Sequence, residues 1–126
     1  MASRHIFDTV VSMEEKERER VETVEKMMKI IGAKWKPAIM YCLIHNRKTR
    51  FGELRRMIPD VTQRILTLRL RELEHDGFIK RTVVNTIPPH VEYEPTDLGD
   101  EIHPFYRDLC LWAEAREDRL KQALQK

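Results

Sequence analysis

Residues 61–80, VTQRILTLRLRELEHDGFIK, combine leucines at helical spacing with arginine, glutamine and threonine. At about 100 degrees per residue, Leu66, Leu70 and Leu73 fall within about 60 degrees of one another and should form a buried stripe. The polar side chains outside that stripe are Gln63, Arg64, Thr67 and Arg71. Arginine can bind guanine through two hydrogen bonds, glutamine can bind adenine, and threonine can contact a thymine methyl group or a phosphate. We therefore predict that these four residues contact the bases of double-stranded DNA.

Two further residues of this helix have different roles. Leu68 shares the polar face, where it would contact a thymine methyl group or pack against the preceding helix. Arg69 lies near the edge of the leucine stripe, so we expect a structural salt bridge or a phosphate contact rather than base recognition.

Positive charge is concentrated around this helix. Residues 34–71 carry ten basic and two acidic side chains, a net charge of +8, whereas the whole chain carries only +2. Such a distribution is typical of a nucleic-acid footprint on a soluble scaffold, and a solvated charged face is the alternative. The predicted phosphate contacts within this segment are Lys34, Arg47, Lys48 and Arg50.

Capping residues predict where the first two helices of the chain begin and end. Ser12 and Glu15 have the spacing of a capping box that opens a first helix, and Gly32 should end that helix. Pro37 fits the first turn of a second helix, roughly residues 35–46. The second helix offers apolar side chains to a core, namely Trp35, Ile39, Met40 and Leu43.

The helix with the leucine stripe is the fourth, and a short third helix comes directly before it. Pro59 should stop the third helix. Thr62 is the expected N-cap of the fourth helix, with Asp60 as the alternative, and Gly77 should close it. Two helices joined by a four-residue turn, about residues 51–76, predict a helix-turn-helix.

Residues 78–96 change from helical to alternating periodicity. Two β-branched and aromatic runs, residues 78–85 and 91–96, flank a proline turn and predict a β-hairpin. A hairpin in this position is the wing of a winged helix. The alternative is an ordinary hairpin that binds DNA poorly because of Glu92 and Glu94. The predicted phosphate contacts of the wing are Lys80, Arg81 and His90.

The C-terminal segment predicts a dimerisation helix at about residues 97–124. Its apolar residues recur at four and three, and Pro104 should mark the start of the helix or a bend in it. Because this stripe exceeds what one small domain can cover, we expect a homodimer, with a lone helix packed on its own monomer as the alternative. The predicted dimer interface comprises Val21, Val24, Met28, Phe105, Leu109 and Trp112.

The length of 126 residues suits one domain. We expect a mainly α fold with a small β-hairpin (α+β), a winged helix-turn-helix with extra N- and C-terminal dimerisation helices. Residues 1–12 should be a flexible N-terminal segment and residues 13–126 a single domain. Without a signal peptide or a long apolar run, the chain should be cytoplasmic and bind no membrane. Scattered histidines and no phosphate-binding glycine loop predict no enzyme activity, metal or cofactor.

Several motifs in order resemble the HxlR-type winged helix-turn-helix transcriptional regulators, relatives of the MarR-like group. IIGAKWKPAIM resembles the opening Gly-Gly-Lys-Trp segment of that family, with Ala33 in place of the second glycine. TRFGELRRMIPDVTQRILTLRLRELEHDGFIKR resembles its helix-turn-helix, and IPPHVEYEPTDLG resembles its wing. The resemblance covers roughly residues 24–113. It implies a homodimer that binds operator DNA through the fourth helix.

One departure from the family concerns thiol sensing. Many members carry a reactive cysteine twelve residues before the Lys-Trp lysine, and that position is Glu22 here. The two cysteines, Cys42 and Cys110, lie near apolar neighbours, where we expect inert thiols.

Three functional hypotheses remain. The first is a dimeric, sequence-specific DNA-binding regulator, expected to be a repressor, on a near-palindromic operator. The second is a winged-helix protein-interaction module without specific DNA binding. The third is a thiol-responsive version of the regulator that uses Cys42 or Cys110. The sequence leaves open whether a small-molecule effector exists.

Overall fold

A computed structural model describes residues 14–125. They fall into two units, divided between Ala33 and Lys34. The predicted capping residue Ser12 and the predicted flexible segment 1–12 lie outside the described residues. The assignment of residues 13–126 to one domain stays a prediction.

The first unit contains helix α1, Glu15–Gly32. It ends at Gly32 as predicted, has acidic residues in its first turn, and contains no buried residue. Acidic side chains near a helix N-terminus are favourable because they complement the helix dipole. The apolar residues Val21, Val24 and Met28 are 40%, 53% and 67% exposed.

The second unit is a winged helix-turn-helix, which confirms the predicted fold class. Its three strands form one antiparallel sheet in the order β1-β3-β2. In chain order the elements are α2 (Lys36–Asn46), β1 (Thr49–Arg50), α3 (Phe51–Met57), α4 (Gln63–His75), β2 (Ile79–Val84), β3 (His90–Pro95), α5 (Asp97–Glu114) and α6 (Lys121–Leu124).

The core of this unit lies between α2, the helix-turn-helix and the start of α5. The predicted stripe of Leu66, Leu70 and Leu73 is at most 1% exposed, which confirms how α4 is anchored. Trp35 is only half-buried, unlike the other residues predicted to contribute from α2. The buried apolar residues are Ile39, Met40, Leu43, Leu54, Ile58, Val61, Leu66, Leu70, Leu73, Phe78, Ile79 and Ile102.

The sheet has one more strand than the predicted hairpin. Strand β1 pairs Thr49 with Tyr93 and Arg50 with Glu92 on β3. Thr49 is 1% exposed, and its hydroxyl donates to the Arg47 carbonyl at 3.0 Å. The basic segment NRKTR, residues 46–50, therefore links the helix-turn-helix to the wing.

The C-terminal helix is shorter than the predicted 97–124. Helix α5 ends at Glu114, and turns separate it from the single turn of α6. At the end of α5 the Arg116 N–H donates to the Ala113 carbonyl at 3.1 Å, whereas a continuing helix would direct it to the Trp112 carbonyl. The Trp112 carbonyl instead accepts from the Arg116 guanidinium at 3.1 Å. Pro104 lies inside α5, so the first of its two predicted roles, marking the start of the helix, is wrong, and the alternative of a bend stays a prediction.

Candidate nucleic-acid interface

Helix α4 presents one exposed polar face. The Thr62 hydroxyl accepts a hydrogen bond from the Ile65 N–H at 3.2 Å, so Thr62 rather than Asp60 caps the helix. With the leucine stripe buried on the opposite side, the four predicted base-contacting residues line a single open depression. Its lining consists of Gln63, Arg64, Thr67, Leu68 and Arg71.

Leu68 and Arg69 now have definite positions. Leu68 is 44% exposed beside the polar side chains, so it does not bury itself against the preceding helix. Arg69 lies off this face, with its Nη1 donating to Glu72 Oε1 at 2.7 Å and its Nε donating to the Lys34 carbonyl at 3.1 Å. The structural salt bridge expected for Arg69 is therefore present.

The predicted phosphate contacts of residues 34–50 differ in whether a neighbouring group of the protein already contacts their charged ends. Lys34 Nζ lies 5.0 Å from the centre of the Trp35 ring. Arg47 makes two hydrogen bonds to Asp100, at 2.7 and 3.1 Å, and the guanidinium holds the pKa of Asp100 below its ordinary value. Lys48 and Arg50 are exposed.

Sequence reasoning did not single out Arg56. Its side chain and that of Lys48 line a second depression between the end of α2, β1 and α3, together with Asn46, Thr49, Glu53 and Met57. Arg56 lies two residues after the buried Leu54, on the exposed side of α3, and this spacing could have identified it as a surface cation. Arg56 is therefore a second cation beside Lys48 at this depression.

The wing carries balanced charge. Lys80 lies opposite Glu94 in the register of β2 and β3. His90 Nε2 lies 3.2 Å from Glu92 Oε2, whereas Arg81 is exposed opposite Tyr93. Glu92 and Glu94 thus sit close to two of the three predicted phosphate contacts. Of those three residues, Arg81 is the one without an acidic residue opposite it or bonded to it in these contacts.

A continuous apolar face runs along α5. Phe105, Leu109 and Trp112 are 69%, 65% and 49% exposed, whereas Ile102 is 4% exposed and belongs to the core. One end of α5 therefore anchors the helix, and the remainder presents large apolar side chains to the surroundings. Exposed apolar surface of this kind marks interaction sites in soluble proteins.

Neither thiol has the surroundings of a reactive cysteine. Burial raises the pKa of the half-buried Cys42. Cys110 is exposed, and its thiol donates to Glu114 Oε1 at 3.4 Å. That hydrogen bond, followed by the charge of Glu114, raises the pKa of Cys110. Both environments favour the thiol over the nucleophilic thiolate.

Residues 14–125 contain no group of three His, Cys, Asp or Glu side chains arranged to hold a metal ion. His45 and His103 do approach each other, with ring centres 5.9 Å apart, while His5 lies outside the described residues. Within the same part of the chain, no helix is long and apolar enough to cross a lipid bilayer.

Comparison with known proteins identifies the family. The family model for the HxlR-like helix-turn-helix matches residues 30–121. YdeP of Bacillus subtilis (strain 168), an HTH-type transcriptional regulator, is 46% identical over 97 residues, which cover 77% of this chain and 75% of YdeP.

Two solved structures are also similar. The redox regulator HypR in its reduced form is 43% identical with a TM-score of 0.71, covering 79% of this chain and 98% of HypR. A MarR-family transcriptional regulator from Enterococcus faecalis V583 is 32% identical with a TM-score of 0.71, covering 88% of this chain and 96% of that protein. The chain is thus a helix-turn-helix transcriptional regulator, and it belongs to the HxlR-like helix-turn-helix family.

Proposed function

We propose that the protein is a homodimeric repressor that recognises a near-palindromic DNA site through α4. The observation that carries this proposal is the exposed depression containing Gln63, Arg64, Thr67 and Arg71, opposite a fully buried leucine stripe. A helix anchored in this way can enter a major groove with its polar side chains directed at base edges. Bound across a promoter, the dimer would block polymerase access.

Phosphate contacts would fix the register of α4 on the duplex. Lys48 and Arg50, just before the helix-turn-helix, and Arg56 within it are exposed cations, and Arg81 extends the positive surface onto the wing. Four further residues of the proposed phosphate contacts each have a neighbouring group in the structure with which DNA would have to compete. They are Lys34, Arg47, Lys80 and His90. Contacts to phosphates position a protein without carrying sequence information.

The dimer would form through the apolar faces of α1 and α5. Three exposed apolar side chains on each helix support this part of the proposal. Light scattering coupled to size exclusion should give about 30 kDa, twice the 15.1 kDa of one chain. Leu109→Glu should shift the protein to monomer, whereas the control Leu124→Glu, at a comparably exposed leucine of α6, should not. A monomeric wild-type protein at micromolar concentration would remove the dimer from the proposal.

A selection experiment tests DNA recognition without assuming an operator sequence. The wild-type protein selects a duplex from a randomised pool, and fluorescence anisotropy then compares that duplex with a scrambled one over several salt concentrations. Arg64→Ala or Arg71→Ala should weaken binding to the selected duplex by ~1–3 kcal/mol and reduce discrimination. Arg119→Ala, an exposed arginine in the turn before α6, is the matched control.

The outcomes separate the competing functions. Equal losses on both duplexes would make Arg64 or Arg71 a phosphate contact. If no duplex is enriched and no DNA binds at low salt, the protein-interaction module becomes the better account. The chain is not proposed to share the redox role named for HypR, because Glu22 stands where the family resemblance expects a reactive cysteine and the pKa values of both Cys42 and Cys110 are raised.

A further inference from the structure

A single carboxylate joins the flank of α4 to the start of α2. Glu72 Oε1 accepts from Arg69 Nη1 at 2.7 Å and lies 3.6 Å from Lys36 Nζ. Arg69 also donates through Nε to the Lys34 carbonyl at 3.1 Å. These four residues, Lys34, Lys36, Arg69 and Glu72, are called the Glu72 bridge.

The bridge contains an ammonium group that is removed from water. Lys36 is 3% exposed, and its partner Glu72 has a lowered pKa, chiefly because of the hydrogen bond from Arg69. Trp35, between the two lysines, has a φ of 80°, a left-handed backbone conformation that is unusual for a bulky residue. Uncommon conformations persist only where the surrounding contacts hold them. The bridge therefore holds the start of α2 in a defined geometry against α4.

Stability alone is a weak reason for such an arrangement. Lys36 is buried, but the Glu72 side chain is 38% exposed, and ion pairs with a solvent-exposed partner contribute little to the free energy of unfolding. A bridge of this kind can instead fix the orientation of α4, since the planar guanidinium of Arg69 donates hydrogen bonds in only a narrow range of geometries. The property that the Glu72 bridge controls is then the orientation of α4 rather than the free energy of unfolding.

Orientation matters because the bridge and the polar face share one helix. By helical geometry, Glu72 and Arg69 lie about 100 and about 160 degrees around α4 from the centre of the face that contains Arg64 and Arg71. Turning α4 by about 10 degrees moves a group about 6 Å from its axis by about 1 Å. Recognition sites tolerate displacements of only about 0.5 Å.

We infer that Glu72 and Arg69 are positioning residues for base recognition: the Glu72 bridge sets the rotation of α4 about its axis and so aims Arg64 and Arg71. The inference rests on the proposed DNA-binding function. Neither positioning residue touches DNA in this account. Both act through the direction that they impose on the polar face.

The test measures discrimination, the ratio of the Kd for a scrambled duplex to the Kd for the duplex selected by the wild-type protein. Glu72→Gln removes the bridging charge, and Arg69→Lys keeps the charge but loses the planar fork. Each should reduce discrimination by ~10-fold, comparable to losing one two-hydrogen-bond base contact. Arg69→Lys should leave the salt dependence of binding to the scrambled duplex unchanged, because the number of cations is the same.

Ile102→Val is the control for general destabilisation, since Ile102 is buried in α5 and is not part of the bridge. At a temperature where all variants are folded by circular dichroism, it should keep wild-type discrimination. The inference is overturned if both bridge variants stay within twofold of the wild type, or if Ile102→Val loses discrimination equally. A wild-type protein that enriches no sequence refutes the proposed function itself, whereas wild-type discrimination retained by the bridge variants refutes only the positioning role.

Discussion

Gly99 in α5 sits where the helix passes directly over the backbone of Phe78. A Cβ built on Gly99 would overlap the Phe78 carbonyl oxygen and would lie 3.1 Å from Met40 Cε. The oxygen cannot simply withdraw, because it accepts a hydrogen bond from the Thr96 N–H at 3.1 Å. Gly99→Ala should therefore destabilise the fold, although alanine is otherwise the better helix former.

The size of the effect follows from two opposing contributions. Alanine in place of glycine favours a helix by at most ~1 kcal/mol. Overpacking costs ~1–3 kcal/mol or more, and a hydrogen bond lost as the oxygen shifts adds ~1 kcal/mol. We expect a net loss of ~2 kcal/mol, which lowers the melting temperature by ~8 °C for a chain of this length.

Gly52→Ala is the matched control, because the only atom near its added Cβ is Arg56 Nη1 at 4.0 Å. Thermal and urea unfolding at one fixed protein concentration should find this variant as stable as the wild type or more so. A Gly99→Ala variant that melts within ~2 °C of the wild type, or equal destabilisation of both variants, would show that the Phe78 carbonyl does not exclude a Cβ at this position.

Three further contacts can be tested separately. Thr62→Ala removes the cap of α4 and should lower the free energy of unfolding by ~1 kcal/mol in urea titrations, an effect that Thr62→Ser should largely avoid. Because Arg47 depresses the pKa of Asp100, their pair stabilises the fold above the ordinary pKa of 3.8 and is lost as pH falls through the folded value. Asp100→Asn should therefore show a smaller drop in urea midpoint on acidification than the wild type. Glu114→Gln should lower the pKa of Cys110 and speed its alkylation by iodoacetamide near neutral pH, and an unchanged rate would contradict the assigned cause.

Local patterns predicted the parts of the fold that depend on neighbours in sequence. The burial of Leu66, Leu70 and Leu73 follows from helical periodicity, and the Thr62 cap follows from its place before the first turn of α4. The exposed polar face is the complement of that stripe. Its members could therefore be named from the sequence, whereas their contacts with DNA remain proposals.

Contacts between distant residues were beyond sequence reasoning. From the sequence alone, Lys36 would be expected at the surface. It is buried in the structure, where Glu72 of a different helix supplies the opposing charge. Arg47 and Asp100 are 53 residues apart, so their pairing depends on how α5 packs. Strand β1 has only two residues, and it exists because β3 offers them a pairing edge.

In the proposed complex, the two copies of α4 enter successive major grooves on one face of the duplex. Dimethyl sulfate protection tests it directly, because the reagent methylates guanine N7 in the major groove and adenine N3 in the minor groove. On the selected duplex we predict two clusters of protected guanines about one helical turn, ~34 Å, apart, with protection in each cluster weakened by Arg64→Ala. Protection confined to adenine N3, or a footprint without protected guanine N7, would contradict the account.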